Sequence, residues 1–244
     1  MHSQQRSTLA GPVGSFVNKP IVFFDDFMVC GKSQVDAALM SESDPWGWIS
    51  DLADGGAWLV SYDALVDAAA QLPLIQDDAD GGWIACTTDA TSGERISMQL
   101  NGESFAVALG RVTCFEWKGK VSATTADAFI GLSVATTDPH ASAPSDAIAF
   151  KLSGDADIEV LARIGSSGSG VDCGVDIVAD TMTTLGFRWD GKDTVQFFVN
   201  GVLAYTSSYA VTSTLYFSPV ICIESNGAAL TLTSDYAYVE VERD

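Results

Sequence analysis

The chain has 244 residues, 47 % of them apolar and 18 % charged, with a mean hydropathy of +0.19. That is too hydrophobic for intrinsic disorder and long enough for one large core. The net charge of −20, from 32 acidic and 12 basic residues, repels nucleic acid and anionic membranes, so neither is expected as a partner. No run of 18 or more apolar residues offers a membrane span.

Residues 1–20 read as an extended arm rich in Ser, Gly and Gln that ends at Pro20. The first stretch has no apolar h-region, so no secretory signal is expected. The first 24 residues hold Arg6 and Lys19 and no acid, which leaves 10 basic and 32 acidic residues for the rest. An acid-free arm before an acidic body suggests a segment with its own partner; the plainer reading is a frayed terminus. The body, residues 21–244, reads as one domain. It opens on Ile21-Val-Phe-Phe-Asp-Asp-Phe-Met-Val, a dense apolar strand. Trp46, Trp48 and Trp58 follow between Asp- and Gly-rich turns. The Ala-rich run after Tyr62 suits one or two helical turns before Pro73, although its Val and Leu also suit a strand.

From residue 82 the strand pattern is regular. Strands are expected near 82–88, 94–100, 104–109, 112–121, 127–136, 146–152, 157–164, 174–179, 183–190, 194–200, 202–208, 214–224 and 228–242. Period-two alternation is clear in Phe115-Glu-Trp-Lys-Gly-Lys-Val and in Thr231-Leu-Thr-Ser-Asp-Tyr-Ala-Tyr-Val, the mark of half-buried antiparallel strands. Gly165-Ser-Ser-Gly-Ser-Gly reads as a loop. Asp190-Gly191 and Asn200-Gly201 read as two-residue hairpin turns, because such dipeptides supply the positive φ those turns require. Many short strands with small turn residues predict an all-β fold.

Reactive constellations are sparse. The Glu-x-Asp-x-x-Glu pattern that puts two carboxylates on one face of a strand for glycan hydrolysis is absent. Glu42-Ser43-Asp44 lacks the second Glu, and Glu240-Val-Glu242 lies beside Arg243 at the chain end. There is no Gly-x-Ser-x-Gly elbow. The two histidines are His2, in the arm, and His140, which reads as a solvated loop residue. Two histidines and no CxxC pair argue against zinc. Asp77-Asp78-Ala-Asp80, Asp155-Ala-Asp157 and Asp172, Asp176, Asp180 could give calcium loop oxygens, but none forms an EF-hand loop and chance clustering explains them. No metal or other cofactor is expected. The five cysteines, Cys30, Cys86, Cys114, Cys173 and Cys222, are odd in number; Cys86, Cys114 and Cys222 sit in apolar strand-like runs. These three read as buried free thiols, which implies assembly in a reducing compartment. Trp46, Trp48 and Trp58 could form a sugar-stacking surface, the first two spaced to share one face of a strand; core packing is the commoner fate of tryptophan.

The meander at 185–206, with Phe24-Asp-Asp-Phe, Thr87-Thr-Asp-Ala-Thr-Ser-Gly-Glu-Arg-Ile, Phe115-Glu-Trp-Lys, Phe129-Ile-Gly-Leu-Ser, Phe217-Ser-Pro-Val and Asp235-Tyr-Ala-Tyr-Val, resembles a group of tailed-bacteriophage virion proteins. Members of that group have a concanavalin A-like, or laminin-G-like, domain and decorate the capsid. The resemblance covers roughly residues 22–242 and fits residues 36–76 poorly. It implies a jelly-roll β-sandwich and a non-enzymatic structural role on the virion. It also implies assembly in the host bacterial cytoplasm, the major capsid protein as partner, and a homo-trimer or dimer. On this reading the arm, through Arg6, Phe16, Val17, Lys19 and Pro20, is expected to contact the capsid. The alternative is a glycan-binding adhesion module that uses Trp46 and Trp48.

Overall fold

The computed structural model describes residues 20–25, 46–49, 58–62, 73–78, 81–100, 102–136, 139–140 and 144–243. Among them are seventeen strands and no helix. In chain order they are β1 (Ile21–Asp25), β2 (Trp46–Ile49), β3 (Trp58–Tyr62), β4 (Leu74–Asp78), β5 (Gly81–Thr87), β6 (Arg95–Leu100), β7 (Phe105–Val107), β8 (Thr113–Val121) and β9 (Asp127–Ser133). Then come β10 (Ala147–Ser153), β11 (Asp157–Arg163), β12 (Val171–Asp176), β13 (Thr183–Trp189), β14 (Thr194–Val199), β15 (Val202–Ser208), β16 (Leu215–Glu224) and β17 (Thr231–Val241).

The strands form two antiparallel sheets. The eight-stranded sheet runs β15-β14-β13-β8-β17-β5-β4, with β1 also paired to β17. The nine-stranded sheet runs β12-β11-β10-β9-β16-β6-β3-β2, with β7 on β16. Between them lies one core that includes Trp117, Trp189, Phe115, Phe150, Phe187, Phe197, Phe217, Ile130 and Met98. The buried indoles keep their polar atoms satisfied. Trp117 Nε1 donates to Ser234 Oγ at 2.9 Å, and Trp189 Nε1 donates to the Tyr209 carbonyl at 3.1 Å. Trp58 is a core residue, meeting Phe23 edge-on at 6.1 Å.

The expected strands from 82 onward are present, with most ends shifted by a few residues. β12 starts at 171 rather than 174 because the alternation there is weak and every second residue is exposed. Three short strands, β2, β3 and β4, were not expected; they lie where Trp, Gly and Asp blur the period. The Ala-rich run at 63–72 lies outside the described residues. The Asn200-Gly201 turn is as expected, with φ of 50° and 76°. The Asp190-Gly191 turn is not a two-residue one. Its loop spans 190–193, because Asp190 Oδ1 accepts the backbone N–H groups of Lys192, Asp193 and Thr194 and organises a wider bend.

The sheets differ on their outer faces. On the nine-stranded sheet the residues pointing away from the core are also buried: Phe129, Ala147, Ala149, Leu161, Val220 and Cys222 form a second cluster, flanked by buried Ser97, Gln99, Ser133 and Ser218. This explains the near-continuous apolar runs Phe129-Ile-Gly-Leu and Val220-Ile-Cys-Ile, which belong to strands buried on both faces. The eight-stranded sheet keeps the alternation of a half-exposed sheet, as in the burial of β8.

Candidate functional site: a groove on the eight-stranded sheet

Strand register brings six residues into one row on the outer face of the eight-stranded sheet. Phe24 of β1 pairs with Tyr238 of β17, Tyr238 with Glu116 of β8, and Glu116 with Gly186 of β13. Gly186 pairs with Phe198 of β14, and Phe198 with Leu203 of β15. The adjacent row is Val22, Glu240, Cys114, Arg188 and Gln196. On the other side lie Tyr236, Lys118 and Thr184. Gly186 makes the row concave. It is the one position of the row without a side chain, set between Glu116 and Phe198, and a Cβ there would come within 3.2 Å of the Phe115 carbonyl. The result is an open groove of about 450 Å³ lined by Phe24, Tyr236, Tyr238, Phe198, Glu116 and Arg188.

The aromatic walls are held in place. Tyr236 Oη donates to Glu116, and Tyr238 Oη donates to Glu240. Phe24 packs on Tyr236 with centroids 5.7 Å apart, and Lys118 Nζ sits 5.9 Å from the Tyr236 centroid while bonding Asp235 at 2.5 Å. Burial, and then the hydrogen bond to and charge of Glu240, push the Tyr238 phenol up to about 12. Burial and then Glu116 push Tyr236 up as well. Both phenols therefore stay neutral donors across the physiological range. Cys114 lies in the groove, and burial, with the Glu240 charge next, raises its thiol. It is protonated at neutral pH and a poor nucleophile. The groove offers flat apolar faces bordered by planar carboxylate and guanidinium groups.

The residues expected from sequence fall elsewhere. Arg6, Phe16, Val17 and Lys19 lie outside the described residues, and Pro20 is exposed just ahead of β1. Trp46 and Trp48 pair with Ser61 and Leu59 at the β2 edge of the other sheet; their side chains lie outside the described residues. Of the paired carboxylates, Glu240 accepts from Tyr238 and Glu242 accepts the Val112 N–H at 3.1 Å. Asp155 and Asp172 accept the N–H groups of Asp157 and Gly174 two residues on. Repulsion from Asp155 and then Asp172 raises the Asp157 carboxyl. Among the described residues no group of three or more His, Cys, Asp or Glu side chains is arranged to hold a metal ion. His140 is not the solvated loop residue that its neighbours Asp138, Pro139 and Ala141 suggested. Its side chain is 11 % exposed, with Nε2 2.9 Å from the Leu152 carbonyl and the ring within 3.6 Å of Asp127 and 3.7 Å of Glu224. The groove was missed because its residues come from separate strands. The one local trace was Tyr236 and Tyr238 on the same face of β17.

No protein-family model matches the sequence, and no curated protein does. Solved structures do match. An endo-1,3-β-glucanase from Streptomyces sioyaensis superposes with a TM-score of 0.55 at 15 % identity, over 95 % of this chain and 99 % of that one. A protein of unknown function from Shewanella oneidensis MR-1 gives 0.53 at 11 % identity, over 91 % and 87 %. A seed lectin of Lotus tetragonolobus gives 0.51 at 10 % identity, over 79 % and 96 %. The fold is concanavalin A-like. At these identities the likeness is one of fold, a jelly-roll β-sandwich that serves many functions.

Proposed function

We propose that this chain is a structural virion protein of a tailed bacteriophage, bound to the exterior of the head as a decoration or cement protein. The observation that carries the reading is the placement of the resembling motifs. Phe24 and Asp25 end β1, with the rest of that motif outside the described residues, and the others occupy the β5–β6 turn, β8, β9, the β13–β15 meander, β16 and β17, in the order in which that group has them. The partner is the major capsid protein, and the acid-free arm with Arg6, Phe16, Val17, Lys19 and Pro20 is the contacting segment. Binding that spans neighbouring capsomers stabilises the assembled shell over its parts. The chain acts by binding and not by catalysis, with Glu116 and Glu240 committed to tyrosine hydroxyls. Electron cryo-microscopy of the intact particle tests the reading: density on the capsid surface supports it, and density only at the tail, or none, refutes it. Deleting residues 1–20 abolishes co-sedimentation with capsids while the fold survives. Release of reducing sugar from common β-glucans would overturn the non-enzymatic role.

The second reading is a glycan-binding adhesion module of a fibre or tail. The pinned aromatic walls of the groove favour it, since aromatic faces stack on apolar faces of sugar rings while the Arg188 guanidinium engages hydroxyls. The fold it shares with a lectin and a glucanase is compatible with that chemistry. A glycan array decides. Saturable binding lost in Phe24→Ala/Tyr238→Ala assigns it to the groove; loss in Trp46→Ala/Trp48→Ala assigns it to the β2 edge; no binding removes the reading.

A further inference from the structure

Among the described residues, strand β15 pairs on one side only, with β14. An edge strand presents unpaired N–H and C=O groups, and proteins usually blunt such edges with charge, proline, a bulge or a covering element; β15 has only the bulge, at Ala204. The other described edges carry charge in or beside the strand. β4 has Asp77 and Asp78, β12 has Asp172 and Asp176, β1 has Asp25, and Asp44 and Asp51 lie two residues beyond the ends of β2. β15, Val-Leu-Ala-Tyr-Thr-Ser-Ser, has neither charge nor proline. It lies in a run, 194–223, without one charged side chain, where 18 % of thirty residues would be about five. Val202 and Leu203 are 69 % and 49 % exposed. A register shift opposite Phe197 and Phe198 leaves 205–208 in regular pairing with β14, so the open side of that stretch is a straight template. The row that crosses the groove from Phe24 ends at Phe198 and Leu203.

We propose that β15 pairs antiparallel with β15 of a second copy, joining two eight-stranded sheets across a two-fold axis. A self-complementary contact brings two uncharged strands together. Strands β1, β4 and β12 carry acidic residues, and acidic residues flank β2 in sequence, so a self-contact through them brings like charge together between chains of net charge −20. Charge also sets the salt response. β12, with Asp172 and Asp176, lies beside β15 in the other layer, so the two-fold axis draws two acidic strands toward each other. Screening this repulsion tightens the pair, the reverse of an association driven by ion pairs.

Sedimentation equilibrium of the full chain, from low to high micromolar concentration and at low and high salt, tests the proposal. The expected result is a monomer–dimer equilibrium, with the dissociation constant falling several-fold as salt rises. Leu203→Glu/Thr206→Glu sets like charges across the axis and yields monomer. Val22→Glu, at an exposed position on the β1 edge of the same sheet, leaves the dimer intact. Circular dichroism checks that each variant is folded. As a reading independent of any variant, amide exchange at 203–208 in the wild-type chain slows as concentration rises. A monomer at every concentration, a trimer, a dimer that survives the folded β15 variant, a dimer lost in Val22→Glu, a dimer that salt weakens, or unchanged exchange at 203–208 each overturns the proposal.

Discussion

Asp190 shows how much one side chain can organise. Its Oδ1 accepts three backbone N–H groups and sets the bend between β13 and β14. Burial is the largest single influence on its carboxyl and pushes it up; the N–H groups of Thr194, Lys192 and Asp193 together outweigh that and hold it below its ordinary value. Asp190→Ala should cost about 1–2 kcal/mol, the range for losing a carboxylate that caps backbone donors. A folded-state pKa below the unfolded one adds stability above the unfolded value, about 3.9, and loses it as pH falls through the folded value. Urea titrations should therefore show a gap between wild type and variant at pH 7 that shrinks by pH 3. The thiols provide a second test. Burial lifts Cys86 to about 12, and Cys222 is fully buried, whereas Cys114 and Cys173 are partly exposed. In the native chain an aromatic disulfide reagent should leave Cys86 and Cys222 untouched until denaturant is added. Their prompt modification would contradict the packing of β5 and β16.

Among elements, β9 and β10 show why glycine sits inside a strand. A Cβ at Gly131 would lie 2.4 Å from the Ile148 carbonyl and 2.5 Å from the Ala149 Cα. Neither backbone atom can move without shifting β10 against its neighbours. Gly131→Ala should cost about 1–3 kcal/mol, the usual range for overpacking, as a lower denaturation midpoint with the slope unchanged. No shift would mean that β9 and β10 are not this close. Much at this scale was legible beforehand. The alternation of β8 and β17 and the Asn200-Gly201 turn are local, and the local pattern gave their place in the fold. The strands missed, β2 to β4, are short, and their residues carry no clear period. The length of the Asp190 loop depends on which carboxylate oxygen meets which N–H, and a dipeptide cannot state that.

For the whole molecule, charge dominates. With a net charge of −20 and an isoelectric point near 4.1, self-repulsion keeps an apolar chain in solution at neutral pH. Solubility should pass through a minimum near pH 4 and recover above pH 6 in a precipitation series; equal solubility at both would show that charge is not what keeps the chain dispersed. Composition, strand period and turn residues by themselves determined an acidic, all-β antiparallel chain, because each of these follows from residues near one another in sequence; the jelly-roll sandwich came only from the resemblance of the ordered motifs. The groove on the eight-stranded sheet, the burial of both faces of the nine-stranded sheet and the seating of His140 beside Asp127 and Glu224 were decided by tertiary structure. Each depends on pairing or packing between distant segments, in the groove on the register of strands more than 200 residues apart, such as Phe24 against Tyr238. Register follows from the packing of the whole sandwich, and no local stretch of sequence contains it.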